Sequence, residues 1–407
     1  MKRIHAPYPL LKCLLPVLMV TLFGQCKSDT KNPQENNEQA QVLDTFAFSS
    51  NPVKVPEQEV KTLEIGSKAP DFNLPGTDGK DHSLSDYDSA EVLAIIFTCN
   101  HCPTAQAYEE RIKSITSDYK DKNVQVVAIS PNSPLGLLPE ELGYSDLGDT
   151  YEDMVIRDED MNFNFPYLYD GDNQKVSLAY GPAATPHTFV FDKQRSLQYV
   201  GRIDDTEKPG TTNGEDLRNA IDKILADEEI KEPVTKTFGC STKWGWKTKN
   251  REKIDAEWAE KEVALEESST DEINKLIAND SEKLRLINVW ATWCAPCRIE
   301  YPEFVTIQRM FGARDFEFIS ISADKLSKKE SALDFLISTN SALKNYIAIN
   351  DDKYELIEAI DPEWNGALPY TMLIEPGGDV VWSYQGEVDF LELKKTIVEH
   401  PMMGRVY

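Results

Sequence analysis

Leu284-Arg-Leu-Ile-Asn-Val-Trp290, then Ala-Thr-Trp, then Cys294-Ala-Pro-Cys297: an apolar run the length of one buried strand ends at a Cys-x-x-Cys pair, where a helix-like stretch begins and runs to about residue 310. The same order occurs earlier in the chain. Residues 91–97 form an apolar run, Cys99-Asn-His-Cys102 follows, and residues 104–119 have a helical pattern. Further strands are expected at 124–129 and 316–321. Beyond them, Thr185-Pro186 precedes strands at 187–191 and 197–203, and Leu368-Pro369 precedes strands at 370–374 and 380–384. Helices at 215–225, apolar at Leu217, Ile221, Ile224 and Leu225, and at 390–398 close the two halves. A β-α-β then β-β-α order implies an α/β fold in each half, a mixed sheet flanked by helices.

A Cys-x-x-Cys pair at a helix start suits thiol–disulfide exchange. The helix dipole and free N–H groups lower the pKa of the first cysteine, and the second lies one turn on, placed to resolve a mixed disulfide. Cys99 and Cys294 are thus expected to attack, and Cys102 and Cys297 to resolve. His101 would stabilise a neighbouring thiolate and make the first pair the more oxidising, whereas Ala-Pro in the second pair carries no charge. Zinc sites share this spacing, but two separate strand–helix contexts argue against one four-cysteine site. Pro186 and Pro369 are expected to be cis and to expose backbone for an extended substrate chain. His187 is a strand-entry residue, or a metal ligand or acid–base partner near the first pair. Cys240, in Phe238-Gly-Cys-Ser-Thr-Lys243, is a third redox thiol resolving that pair, or an unpaired cysteine. A soft copper(I) site of Cys99, Cys102 and His187 is an alternative use of the same residues.

Trp290-Ala-Thr-Trp-Cys-Ala-Pro-Cys297, with Pro302 beyond, resembles the thioredoxin superfamily, and within it the exported TlpA/ResA-like thiol–disulfide oxidoreductases, over roughly residues 270–407. The resemblance implies a thioredoxin fold, a cis-Pro369 beside the dithiol and a glutamate one turn after the resolving cysteine, here Glu300. If buried, Glu300 would have a raised pKa and could shuttle a proton; otherwise it is a surface carboxylate. Asn288 stands where cytosolic thioredoxins carry a buried aspartate, which leaves Glu300 as the base candidate. Residues 62 to about 245 resemble the AhpC/TSA, peroxiredoxin-like redoxins, through Ile65-Gly-Ser-Lys-Ala-Pro-Asp-Phe72 and Phe97-Thr-Cys-Asn-His-Cys-Pro103. Peroxiredoxins carry Pro-x-x-x-Thr-x-x-Cys. Here Cys99 stands three residues before Cys102, and the peroxide-orienting threonine is missing, which weighs against peroxidase activity.

The 407 residues divide on this reading into a signal peptide (1–26), a flexible linker (27–61), a peroxiredoxin-like domain (62–227), an interdomain linker with an exposed helix (228–267) and a TlpA-like domain (268–407): two thioredoxin-like folds in tandem. Lys2 and Arg3 followed by a short apolar stretch read as an export signal, and Leu22-Phe-Gly-Gln-Cys26 resembles a bacterial lipobox. Cys26 is then a lipidated first residue, or a spare thiol after an ordinary cut. A net charge of −26 disfavours nucleic acid and anionic lipid surfaces as partners. The expected setting is the bacterial cell envelope, facing the periplasm, with membrane contact through the lipid alone. Protein thiols and disulfides, apo-cytochromes among them, are the expected substrates, with a membrane or periplasmic electron donor and no cofactor. Thiol peroxidase activity in the first half and a copper-binding chaperone are the alternatives.

Overall fold

The computed structural model describes residues 46–212 and 214–404, so the signal and lipidation readings at residues 1–26 lie outside the described residues. Two sheets organise the chain. The first contains β3 (Val92–Phe97), β4 (Val124–Ser130), β5 (Tyr167–Tyr169), β7 (His187–Phe191) and β8 (Leu197–Gly201), in the order β5-β4-β3-β7-β8. A small antiparallel pair, β1 (Asn73–Pro75) and β2 (Asp81–Ser83), precedes it. β3 runs parallel to β4 and antiparallel to β7. Helix α1 (Pro103–Tyr119) joins β3 to β4, and α2 (Tyr151–Met161), α3 (Lys175–Tyr180) and α4 (Asp216–Leu225) follow. All six residues of β3 are buried, as expected for a central strand covered on both faces. On one face Ile96 and Val190 pack with Tyr108 and Ile112 of α1; on the other Phe97 and Phe189 pack with Tyr180 of α3.

The second sheet has the order β10-β13-β12-β11-β14-β15: β10 (Glu266–Ser268), β11 (Leu284–Trp290), β12 (Phe316–Ser322), β13 (Lys344–Ala348), β14 (Tyr370–Ile374) and β15 (Val380–Gln385). Its helices are α6 (Thr270–Ala278), α7 (Ala295–Phe311), α8 (Lys329–Ser338), α9 (Lys353–Ile360) and α10 (Phe390–Glu399). Both halves thus have the thioredoxin-like order of a parallel βαβ unit followed by two antiparallel strands and a helix.

Parts of both expected linkers are folded, while residues 27–45 of the first lie outside the described residues. Phe48 packs edge-on against Tyr151, the Ser49 hydroxyl donates to Glu152, and Asn51 N–H donates to Asp172, so residues 46–61 lie on the first half. Their two phenylalanines supply the apolar area that the polar flank disguised. Residues 228–267 are corrected similarly. Thr235 N–H donates to the Val200 carbonyl and Val200 N–H to the Pro233 carbonyl, β9 (Cys240–Ser241) pairs with β6 (Ala184–Thr185), and Trp244 is buried. A side chain at Gly201 (φ +152°) would meet the Thr235 hydroxyl at 2.1 Å, so that docking requires glycine. Helix α5 (Thr248–Ala259) follows, and β10 already belongs to the second sheet. The two halves touch through Leu142, which packs on the second core, and through Arg309, which binds Glu140 and Asp255.

In α1, Glu109 receives two hydrogen bonds from buried Arg157 of α2, at 2.9 and 2.6 Å. Arg157→Met strands a buried carboxylate without its guanidinium and is expected to cost about 3–5 kcal/mol. This would be read as a lower urea midpoint at unchanged m-value, and the double change with Glu109→Leu should recover much of the loss.

Candidate active sites

Both Thr185–Pro186 and Leu368–Pro369 are cis. The next residues, His187 and Tyr370, pair with Phe97 and Val289, so each cis-proline is registered on its central strand just before the cysteine loop. This register overturns the expectation that the two cysteine pairs are equivalent. Helices α1 and α7 are both 17 residues long. Pro103 corresponds to Ala295, Tyr119 to Phe311, and β4 to β12 in one constant register. Cys102 therefore falls on Cys294, each being the residue that caps its helix. Cys99 falls on Ala291, and Ala105 takes the place of Cys297. The helix-capping place expected for Cys99 is held by Cys102, because the helix N-terminus begins three residues later than the first cysteine.

Around Cys102 the environment is closed. Cys99 and Cys102 are buried and Cys240 is half-buried. Cys99 Sγ lies 3.1 Å from Thr185 Oγ1, and Cys102 Sγ lies 3.4 Å from the Thr185 carbonyl oxygen. The Cys240 backbone N–H donates to Cys102 Sγ at 3.3 Å. The pKa of Cys102 is lowered by hydrogen bonds from Cys240 and Cys99, with help from the His101 cation and the Ala105 N–H. Burial pushes Cys99 well up, so the proton of this pair stays there.

His101 is held in place by Asp149, Nδ1 to Oδ2 at 2.6 Å, and both groups are buried. Burial alone would lower the His101 pKa, but the carboxylate outweighs it and raises it; the same contact overcomes desolvation and lowers Asp149. Asp149 also accepts from Asn100 N–H, His101 N–H and Asn132 Nδ2. His101 Nε2 is buried with no hydrogen-bond partner among the described residues. Among the described residues, Cys99, His101 and Asp149 are the group close enough to share a cation. Four donors already fill Asp149, which favours an imidazolium over a metal ion.

His187 does not join this site, and the expected copper set of Cys99, Cys102 and His187 is not assembled. His187 alternates with Phe189 and Phe191 on the face away from α1. Its ring packs on Phe189 at 4.7 Å, its Nδ1 accepts from Ala183 N–H, and burial lowers its pKa to about 4.

At the second site Cys294 and Cys297 are joined by a disulfide, Cα to Cα 5.3 Å. Cys294 is nearly buried, but the adjacent Trp293 is 70% exposed. Asp324 fixes the loop by accepting from Thr292 N–H and Oγ1 at 2.8 and 2.7 Å. A cavity of about 370 Å³ opens beside it, lined by Trp293, Asp324, Trp364 and Leu368, the residue before cis-Pro369. Glu300 is buried. Its carboxylate accepts from Val388 N–H at 3.1 Å and more weakly from Asn288 at 3.4 Å. Burial raises its pKa to about 7. The first half has Tyr108 at this position, donating to Asp204, and so lacks the carboxylate.

Sequence reasoning missed Asp149, Asn132, Asp324 and Thr185. The first three lie far along the chain from the cysteines they serve, with no spacing signal; Thr185 could have been found as the neighbour of Pro186. Removing the charge of Asp149 should release the His101 proton and raise the pKa of Cys102. In Asp149→Asn protein with the Cys294–Cys297 disulfide intact, the ultraviolet thiolate absorbance should therefore appear at higher pH than in the unaltered chain.

The AhpC/TSA family model matches this chain over residues 65–200 and again over 261–383. The thiol–disulfide oxidoreductase ResA of Geobacillus thermodenitrificans is 24% identical over 168 residues, 41% of this chain and 81% of that protein. A thioredoxin of Coprinus comatus is 40% identical over 60 residues, 15% of this chain and 55% of its own length. Among solved structures, a hypothetical protein of Sinorhizobium meliloti is 31% identical, with 46% of this chain and 98% of that one covered and a TM-score of 0.40. A putative thiol:disulfide interchange protein DsbE from Chlorobium tepidum is 22% identical, with 40% and 99% covered and a TM-score of 0.32. Matched in two segments that together span more than half its length, the chain belongs to the AhpC/TSA family.

Proposed function

We propose that the chain is an exported thiol–disulfide oxidoreductase with two thiol centres, acting on protein disulfides of the bacterial cell envelope. Cys294 is the attacking thiol of the second centre and Cys297 resolves the mixed disulfide. The observation that carries this reading is the arrangement of Cys294–Cys297 at a helix N-terminus, with cis-Pro369 alongside and buried Glu300 one turn on. Its likeness to proteins named thiol–disulfide oxidoreductase ResA supports the same chemistry. Lipid attachment at Cys26 would hold the protein on a membrane facing the periplasm, where a membrane or periplasmic donor supplies electrons. Apo-cytochromes are one substrate class, and no cofactor is needed.

In the exchange, the Cys294 thiolate attacks a substrate disulfide and one substrate thiolate leaves. Cys297 then gives up its proton and displaces the second, so the substrate gains two electrons as the pair closes. Glu300 is the base available for the Cys297 proton. With a folded pKa of about 7 it is protonated below that pH and able to accept a proton above it.

Reduction of insulin disulfides by the full chain tests this directly. Cys294→Ser should abolish the share of turnover carried by this pair, and Cys297→Ser should trap a mixed disulfide at Cys294; unchanged turnover in both would remove the second centre from the mechanism. The rate of Cys297 resolution should rise through about pH 7, and Glu300→Gln should flatten that rise and slow resolution by about a hundredfold.

Glu300 also predicts a stability effect. Its pKa is higher in the folded chain than its ordinary 4.5, so the fold binds the proton more tightly than the unfolded chain does. Stability is favoured below about pH 4.5 and declines as pH rises to about 7. Glu300→Gln should therefore lessen the fall in Tm across that window.

Peroxide reduction at Cys102 is a second reading, favoured by the helix-capping position of that thiolate. Rapid loss of the Cys102 thiol at micromolar peroxide would support it, whereas slow loss at millimolar peroxide would end it.

A further inference from the structure

The first centre contains a feature that the second lacks. Strand β9 (Cys240–Ser241) pairs antiparallel with β6 (Ala184–Thr185), and Cys240 sits opposite Thr185, the residue before cis-Pro186. A cis-proline beside a dithiol exposes backbone to which an extended chain can add by strand pairing. Here the protein's own segment has taken that edge. Gly239, at φ +131°, permits the close approach: any side chain would meet the Thr185 carbonyl oxygen at 2.1 Å. The Thr237 hydroxyl donates to the Pro186 carbonyl at 2.7 Å and secures the same segment.

We propose that Cys240 is the redox partner of Cys102, and that strand β9 is an internal occupant of the substrate edge beside cis-Pro186. The proposal rests on the thiol–disulfide reading of the chain. Three observations support it. The Cys240 N–H donates to Cys102 Sγ at 3.3 Å, and the Cys240 side chain packs against the cluster of Cys99, Cys102 and Ala105. The helical position that holds the resolving cysteine in the second half is Ala105 here, which leaves the helix without a resolving thiol. Cys99 is buried against Thr185, whereas Cys240 is half-exposed and lines an open groove with Thr104, Glu207 and Phe238.

The exchange balances as follows. With β9 lifted, the Cys102 thiolate attacks a substrate disulfide, forming Cys102–S–S–R and releasing R′S⁻. As β9 returns, the Cys240 thiol loses its proton and attacks Cys102 Sγ; RS⁻ leaves and takes up that proton. The substrate disulfide gains two electrons, and the Cys102–Cys240 pair loses them. Two strand residues can detach and re-form at low cost compared with a core strand.

The test uses the full chain, reduced and then exposed to oxidised glutathione, acid-quenched and mapped by mass spectrometry without reduction. A Cys102–Cys240 link is expected, and it should persist in Cys99→Ser. In Cys240→Ser, and independently in Cys240→Ala, a glutathione adduct on Cys102 should persist about tenfold longer or more. A Cys99–Cys102 link in the unaltered chain, or clearance of the adduct at the unaltered rate in both Cys240 variants, would overturn the proposal. If Cys102 takes up no glutathione while Cys294–Cys297 cycles normally, the proposal also fails, and the assignment of the second centre stands.

Discussion

The antiparallel pairing of a post-proline strand with the central strand is the constraint on which both centres depend. Phe97 with His187, and Val289 with Tyr370, set each cis-proline against the loop that leads into the long helix. Everything chemical is then decided by which residue caps that helix. In one half the cap is the first cysteine of its pair and in the other it is the second. A displacement of three residues along the chain, with no change in fold, separates a pair whose first cysteine caps the helix from a pair whose second cysteine does, with a buried thiol before it.

The two centres manage charge by different means. Around Cys102 the protein encloses a full set of partners: an imidazolium held by a carboxylate, backbone N–H groups and two further thiols. Cys294 lies at a mouth, beside an exposed tryptophan and a cavity, with a carboxyl near neutrality on the next turn. The first arrangement favours a stable anion in a sealed place, and the second a thiol open to large partners. Two copies of one fold can thus coexist in one chain without duplicating each other's chemistry.

Much of this was legible in the sequence. The strands at 284–290 and 370–374 and the helix after each cysteine pair came from apolar runs and prolines, signals that act over a few residues. Matched placement after each cysteine pair pointed to the cis-prolines, and the resemblance supplied Glu300. What escaped was tertiary. Asp149 has no sequence relation to His101, and the parity of Cys102 with Cys294 became visible only when strand pairing fixed a common register. His187 is the strand-entry residue of one of its two readings; the other, a partner of the first pair, fails because period-two alternation turns it to the far face of the sheet. Residues 228–248 read as linker because their apolar content is low; they are held by backbone pairing and by Trp244, Thr235 and Gly245, a kind of order that periodicity does not record.

The stacked pair Trp244 and Trp246, with ring centroids 5.0 Å apart, follows Cys240 on the same short peptide. Gly245 between them donates its N–H to Gln174, and Lys243 forms an ion pair with Glu141. The segment that closes over Cys102 is thus tied directly to two fluorophores packed face to face on the first half. Indole emission depends on such stacking and on the polarity around the ring, so the chain carries an optical gauge of its own cover. With the other five of the chain's seven tryptophans replaced, movement of that cover would register in the emission of this pair, with no dye attached to any cysteine.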